Sequence, residues 1–264
     1  MAQDKSDQAG RSAFITGAAS GLGFAMTEAM VETGAAVCLA DADANNLDKA
    51  VDHFRRVSNQ VDGVVLDVRE PSKIREAVKS YSDRQGRLDV MFANAGITGG
   101  PPITNPAGFI ENIDLDVWRN VLDVNLTGVF ATMQAAASIM KPQGSGRIIA
   151  TASIAGMRTS NVSGYAYSAT KAAVIQLVKL AAAELAQYDI RVNGIAPGPF
   201  MTNIAGGIMF TDPSRKDFMA QGTALKRVAD PKELKGLVTL LAGEGSSFIT
   251  GQVIAIDGGA LVMH

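Results

Sequence analysis

Short apolar runs alternate with longer amphipathic stretches along almost the whole chain. Ser12 to Thr16 is the first apolar run, and it ends in Thr16-Gly-Ala-Ala-Ser-Gly-Leu-Gly23. The periodic segment Leu22 to Thr33 follows, and Gly34 stops it. Ala35 to Ala40 is the next buried strand, closed by Asp41. Asn45 to Ser58 reads as a helix with charge on its outer face. Val61 to Leu66 reads as a strand that ends at Asp67-Val68. Pro71 suits the first turn of a helix that runs to about Gln85. Leu88 to Ala93 is a fourth strand, ending in Asn94-Ala95-Gly96.

The second half repeats the pattern with interruptions. Ile97 to Asn112 is a Gly/Pro/Asn-rich loop. Asp114 caps a long helix from about Leu115 to Met140, and Asn125 lies inside it. Arg147 to Ala152 is a fifth strand, ending at Thr151-Ala152-Ser153. Ala166 to Gln187 is Ala-rich, free of Gly and Pro, and predicts a helix. Ile190 to Ile195 is a sixth strand that runs into Pro197-Gly198. Phe200 to Gly222 mixes polar and apolar residues and reads as a mobile lid. Pro231 to Leu241 predicts a helix and Val253 to Ile256 a seventh strand, followed by the turn Asp257-Gly258-Gly259.

Strand and helix in alternation mean right-handed parallel crossovers. The expected fold is α/β: a Rossmann-like, doubly wound parallel sheet of seven strands with helices on both faces. No Pro/Gly/Ser-rich linker divides the chain, so residues 12–264 are expected to form one domain behind a flexible N-terminus, 1–11. Ligands of such sheets sit beyond the carboxyl ends of the strands. Gly17, Asp41, Asp67 and Asn94 all follow strands and should share that edge.

Composition narrows the chemistry. The formal net charge is −2 with both signs interspersed, so neither a nucleic acid nor an anionic membrane is expected as a partner. The single Cys38 excludes an internal disulfide and a thiolate metal cage. His53 and His264 are the only histidines, which argues against a Ser-His-Asp hydrolase and a His-rich metal site. No run of 18 apolar residues exists and Met1 to Arg11 lacks the apolar core of a signal peptide, so the cytoplasm is the expected location.

Two stretches carry candidate chemistry. The first is the Gly-rich turn. Gly17, Gly21 and Gly23 permit a tight turn and close backbone approach, with Ser20 and Leu22 between them. The helix N-terminus that follows offers free N–H groups to a pyrophosphate. Asp41 lies 24 residues after Gly17, near the place where a dinucleotide fold puts an acid on the adenosine ribose. A carboxylate there accepts from ribose hydroxyls and repels a 2′-phosphate. No Arg or Lys occurs from Ser12 to Asp48, so NAD is expected over NADP, with Asp43 as the rival acid.

The second stretch is Gly164-Tyr-Ala-Tyr-Ser-Ala-Thr-Lys171. Tyr167 and Lys171 are four apart on a helix and share a face. A phenol ionises near pH 10, and bringing it to about 7 takes roughly 4 kcal/mol. A nearby ammonium moves it in that direction but falls short alone, and a cationic cofactor ring would add to it. Tyr165 has Ala169 four residues on and lacks the paired Lys. Ser160, Ser163 and Ser168 compete with Ser153, which stands at a strand's carboxyl end 14 residues before Tyr167.

Together these residues resemble the classical short-chain dehydrogenase/reductase family over nearly the whole chain. Six motifs occur in the family's order: Thr16-Gly-x-x-x-Gly-x-Gly23, Asp67, Asn94-Ala-Gly96, Asn125, Ser153 with Tyr167-x-x-x-Lys171, and Pro197-Gly198. Ala93 stands where the family often has a first Asn. The resemblance implies Tyr167 as general acid/base and Lys171 as the group that lowers its pKa and holds the nicotinamide ribose. It implies Ser153 as the partner of the substrate oxygen and Asn125 as the holder of a water linking Lys171 to solvent. Gly17, Ser20, Gly21, Leu22, Gly23, Asp41, Asp67, Val68, Asn94, Ala95, Gly96, Pro197, Gly198 and Thr202 would line the cofactor, with Thr202 on the carboxamide. The chain itself has no hydride acceptor, and a dinucleotide supplies one.

The expected activity is hydride transfer between NAD and a secondary alcohol or ketone, with no metal. The alternatives are an NADPH-dependent carbonyl or 3-oxoacyl reductase and a non-catalytic dinucleotide sensor. A sugar-nucleotide epimerase fits less well, because such enzymes carry a larger C-terminal substrate domain. Ile154, Met157 and Val162, with Ile204, Ile208, Met209 and Phe210 in the lid, favour a small apolar or cyclic alcohol. Arg158 is the one basic residue in the loop after Ser153. A homotetramer is the assembly that the family implies.

Overall fold

The computed structural model describes residues 8–263. Seven parallel strands form one sheet: β1 (Ser12–Thr16), β2 (Ala36–Asp41), β3 (Val61–Val65), β4 (Val90–Ala93), β5 (Gly146–Thr151), β6 (Ile190–Pro197) and β7 (Val253–Ile256). Their spatial order is β3-β2-β1-β4-β5-β6-β7. The chain winds outward one way from β1 through β3, then returns to add β4 on the other side. That reversal opens a crevice between β1 and β4 at the strands' carboxyl ends.

Both faces of the sheet are covered, so the central strands are apolar without alternation. Side-chain direction still alternates along each strand. In β1, Phe14 joins the core that also holds Ile74, Val78, Tyr81, Val174 and Val178, from helices α3 (Pro71–Gln85) and α6 (Tyr165–Leu185). Ala13 and Ile15 point to the opposite core, with Met26, Met30, Leu47, Phe54 and Val238. That layer is built from α1 (Gly21–Glu32), α2 (Ala44–Arg55) and α9 (Lys235–Ala242). The phenol of Tyr81 is buried and donates to the Ala36 carbonyl at 2.9 Å, so its burial leaves no hydroxyl unpaired.

Three segments differ from what the sequence predicts. The helix expected from Leu115 to Met140 is α4 (Leu115–Leu122), then a π-helical turn, Asp123–Gly128, then α5 (Val129–Gln143). Asn125 sits inside that wider turn. The expected irregular lid contains α7 (Ile208–Thr211) and α8 (Pro213–Gln221), because Asp212 caps α8 and Pro213 fits its first turn. Of the N-terminal residues 1–11 expected to be flexible, 1–7 lie outside the described residues, as does His264. Gln8 is buried and donates its backbone N–H to Thr33. Arg11 ion-pairs with Glu244 and donates to the Ala242 carbonyl, joining the chain's start to the end of α9.

Candidate active site

The crevice edge is built first by glycine. Gly17 and Gly21 have φ of 65° and 55°, the left-handed region where a Cβ is strained. A methyl group at Gly23 would stand 1.9 Å from the Gly17 carbonyl oxygen, so only hydrogen fits where α1 begins. Ser20 is the extended N-cap residue of α1, exposed, with no side-chain capping bond. Its hydroxyl and the first-turn N–H groups are therefore open to an anion. Leu22 is half-buried beside them. The donor set and the space that glycine leaves both fit a dinucleotide pyrophosphate.

Asp41 ends β2 and faces this turn. One carboxylate oxygen accepts from the Ala19 N–H at 3.0 Å and the other from the Asp43 N–H at 3.0 Å. The rival Asp43 is spent as the cap of α2, accepting from the Asn46 backbone at 3.0 Å and side chain at 2.7 Å. Asp67 follows β3. Arg69 grips it with two guanidinium nitrogens and holds its carboxyl below the usual range. Val68 is buried, its side chain against Gly128.

Asn94 is a clamp rather than an open ligand. Its Nδ2 donates to the carbonyls of Thr16 at 3.0 Å and Gly17 at 3.2 Å. The Thr16 hydroxyl in turn accepts from the backbone N–H groups of Asn94 and Ala95. The Asn94 carboxamide thus braces the turn that carries Gly17. Lacking a side chain, Gly96 keeps clear the space beside two buried polar groups: a methyl there would lie 3.4 Å from both Asn125 Oδ1 and Lys171 Nζ.

The opposite wall comes from β5 and α6. Ser153 follows β5 and caps a short 3-10 turn, its hydroxyl accepting from the Ala155 N–H at 3.1 Å. Gly156 lets that turn press on α6, since a methyl would sit 2.5 Å from the Lys171 carbonyl carbon. That brings the Ser153 hydroxyl near enough to the Tyr167 phenol to favour its ionised form. One helical turn on, the Lys171 ammonium lies 5.8 Å from the Tyr167 ring centroid and donates to the Thr151 carbonyl at 2.7 Å. Ser153, Tyr167 and Lys171 are brought together as the sequence predicts. Tyr165 faces a different cleft, with Trp118 and Pro101, and Ser160 and Ser163 hydrogen-bond each other.

Asn125 is fully buried and pairs with the backbone of Ile97 in both directions. Its Oδ1 accepts from the Ile97 N–H and its Nδ2 donates to the Ile97 carbonyl, each at 2.8 Å. The carboxamide is thus engaged with the main chain at both ends, and its Nδ2 also lies 3.5 Å from the Thr170 hydroxyl. π-turns of this kind occur often at functional sites.

Burial acts on both ionisable groups against charge. It lowers the Lys171 ammonium to about 8. It raises the Tyr167 phenol, while the Ser153 hydrogen bond pulls it back. The protein alone thus keeps the phenol protonated at neutral pH. A proton acceptor at Tyr167 needs a further positive charge beside it.

Pro197 closes β6, and Gly198 packs on Asp257, where a methyl would meet the Cα at 2.6 Å. Thr202 is buried four residues after Gly198, where a methyl on Gly21 would lie 3.4 Å from its Cβ. A cavity of about 220 Å³ lies there, lined by Phe24, Met201, Thr202, Phe210 and Lys232 among others. Phe210 and Ile204 are exposed. Arg158 is turned to the chain's end, donating to the Met263 carbonyl at 2.7 Å. Among the described residues no cluster of His, Cys, Asp or Glu could hold a metal, and no helix is long and apolar enough to cross a membrane.

Sequence reasoning missed the Thr151 carbonyl, the Ile97 backbone and Gly156. The first two act through main-chain atoms, which every residue carries, so no side-chain pattern marks them. Gly156, three residues after Ser153, was the available signal.

Residues 17–260 match the family described as Enoyl-(Acyl carrier protein) reductase. The chain is 36% identical over 258 residues to 3-oxoacyl-(acyl-carrier-protein) reductase FabG of Thermotoga maritima, covering 96% of this chain and 98% of that one. It is 33% identical over 263 residues to cyclohexanol dehydrogenase of Rhodococcus sp., covering 95% and 96%. A solved gluconate 5-dehydrogenase from Burkholderia cenocepacia, in complex with NADP and tartrate, superposes with a TM-score of 0.90 at 32% identity over all of both chains.

Proposed function

Because the chain belongs to the short-chain dehydrogenase/reductase family, we propose that it exchanges hydride between NAD and a secondary alcohol or ketone. The observation that carries the reading is the grouping of Ser153, Tyr167 and the buried Lys171, whose ammonium lies 5.8 Å from the Tyr167 ring centroid, across the crevice from the Gly17–Gly23 turn. A bound dinucleotide supplies the hydride acceptor and, when oxidised, a positive ring. Tyr167 takes the alcohol proton as the carbon gives up hydride, and returns it in the reverse direction. Ser153 donates to the substrate oxygen and orients it toward Tyr167. Lys171, held by Thr151, favours the phenolate and reaches the ribose. Ser20 and the α1 N-terminus hold the pyrophosphate, and Thr202 orients the carboxamide. Asp67, Val68, Ala95, Gly96, Pro197 and Gly198 shape the same cleft.

Asp41 supports NAD over NADP, since its carboxylate faces the turn and no basic residue stands between Ser12 and Asp48. The substrate class we favour is an apolar or cyclic secondary alcohol. Its support is the apolar lid and a relative named for cyclohexanol. Reduction with NADPH is the second reading, supported by the 3-oxoacyl reductase relative and the NADP-bound gluconate dehydrogenase.

NADH absorbance, followed over cyclohexanol, sugars, hydroxy acids and steroids with NAD and NADP in parallel, tests both readings. Turnover with NAD on a cyclic alcohol supports the first. A decisive preference for NADP overturns it. We further propose homotetrameric assembly, which a monomeric mass in light scattering would contradict.

A further inference from the structure

We propose that Thr151 is a positioning residue whose hydroxyl fixes the cofactor turn through Asn94, while its carbonyl fixes Lys171. The inference rests on the dinucleotide reading above. Thr151 is buried at the end of β5. Its hydroxyl donates to Asn94 Oδ1 at 3.0 Å. Its carbonyl accepts from Lys171 Nζ at 2.7 Å. One residue therefore touches both halves of the site.

The hydroxyl selects one of two orientations of the Asn94 carboxamide. Asn94 Nδ2 faces two carbonyl oxygens, those of Thr16 and Gly17, which only a donor satisfies. A flipped amide would set Oδ1 against both. Thr151 rewards the unflipped state, because its hydroxyl hydrogen is offered to the oxygen end. The Gly17 carbonyl so held is the atom against which Gly23 packs without a side chain. Loosening Asn94 would let the Gly17–Gly23 turn shift, and the N–H groups of α1 would lose their aim at a phosphate. Lys171 is affected differently. Its partner is main chain, which a substitution of the Thr151 side chain leaves in place.

Thr151→Val keeps the shape and removes the hydroxyl. Expected is a rise of about tenfold in the NADH dissociation constant, measured by fluorescence titration, and in KM for NAD. kcat and its pH profile should stay within about twofold, since the Lys171 contact persists. Thr151→Ser should restore wild-type binding. In an Asn94→Ala background, Thr151→Val should add nothing. The proposal is overturned if Thr151→Val binds NADH as wild type does, if Ser fails to rescue, or if the two substitutions are additive. Should Val alter melting, the Ser variant and the double-substitution cycle still decide. Wild-type protein that binds no dinucleotide would instead sink the functional reading beneath it.

Discussion

Asn125 closes a two-point amide pair with the backbone of Ile97, both bonds at 2.8 Å, from inside a π-helical turn. The pair joins α4–α5 to the loop after β4, and places Oδ1 beside Gly96. Asn125→Ala orphans an N–H and a carbonyl together. We expect a loss of about 2 kcal/mol in urea unfolding, with lower turnover. Unchanged stability would mean that the loop is held by other contacts.

Tyr167→Phe keeps the ring and removes the phenol that Ser153 acts on. Turnover should fall by roughly 10²–10⁴-fold, with NADH binding nearly intact. Full activity in this variant would sink the proposed acid/base role.

Lys171 links pH to stability with a definite sign. Its folded value, about 8, lies below the ordinary 10.5, because burial disfavours the ammonium. The unfolded chain binds this proton more tightly, so stability rises with pH between about 8 and 10.5. Below 8 the full burden of the buried charge is present. Lys171→Met should therefore be inactive yet more stable at pH 7, by roughly 1–2 kcal/mol after allowing for the lost bond to Thr151. The stability difference between variant and wild type should shrink as pH climbs through that window. A difference that is constant with pH would contradict the shifted ammonium.

Replacing Asp41 by Ser, with Ala42→Arg beside it, should move the kcat/KM ratio toward NADP by roughly 10–100-fold. Because Asp41 also accepts from Ala19 and Asp43, some loss with both cofactors is expected. An unchanged ratio would show that another residue reads the ribose.

The strands were legible because both faces are covered and the apolar runs are short and bounded by turn residues. Ser12–Thr16 and Val253–Ile256 match residue for residue. The grouping of Ser153, Tyr167 and Lys171 was legible because a strand end and an i, i+4 helical spacing fix where these side chains lie. The π-turn was not, since six residues are too few to separate its period from that of an α-helix. Asn94 and Asn125 bond largely to backbone atoms, so their work as clamps was invisible. Between Phe200 and Gly222, Asp212-Pro213 is a helix-start signal that the polar composition around it obscured.

At the strands' amino ends, Glu244 is shared by Arg11 and the buried Arg147, which also donates to the Gly243 carbonyl. Glu244→Gln should lower stability by about 1 kcal/mol, the exposed carboxylate being screened by water. Arg11 and Arg147 hold the wild-type carboxyl below its usual range, so it favours folding above the ordinary 4.5. That contribution fades as pH falls through the lowered folded value, and the variant should lack this acid dependence. A Gln variant with the same acid profile as wild type would contradict it.

The ends of the sheet are thus separate engineering territories. Every proposed reacting group hangs from the carboxyl edge, and this ionic seam lies a strand's length away. Thermal tolerance can be tuned at one end while substrate range is rewritten at the other, with the sheet as an inert chassis between them.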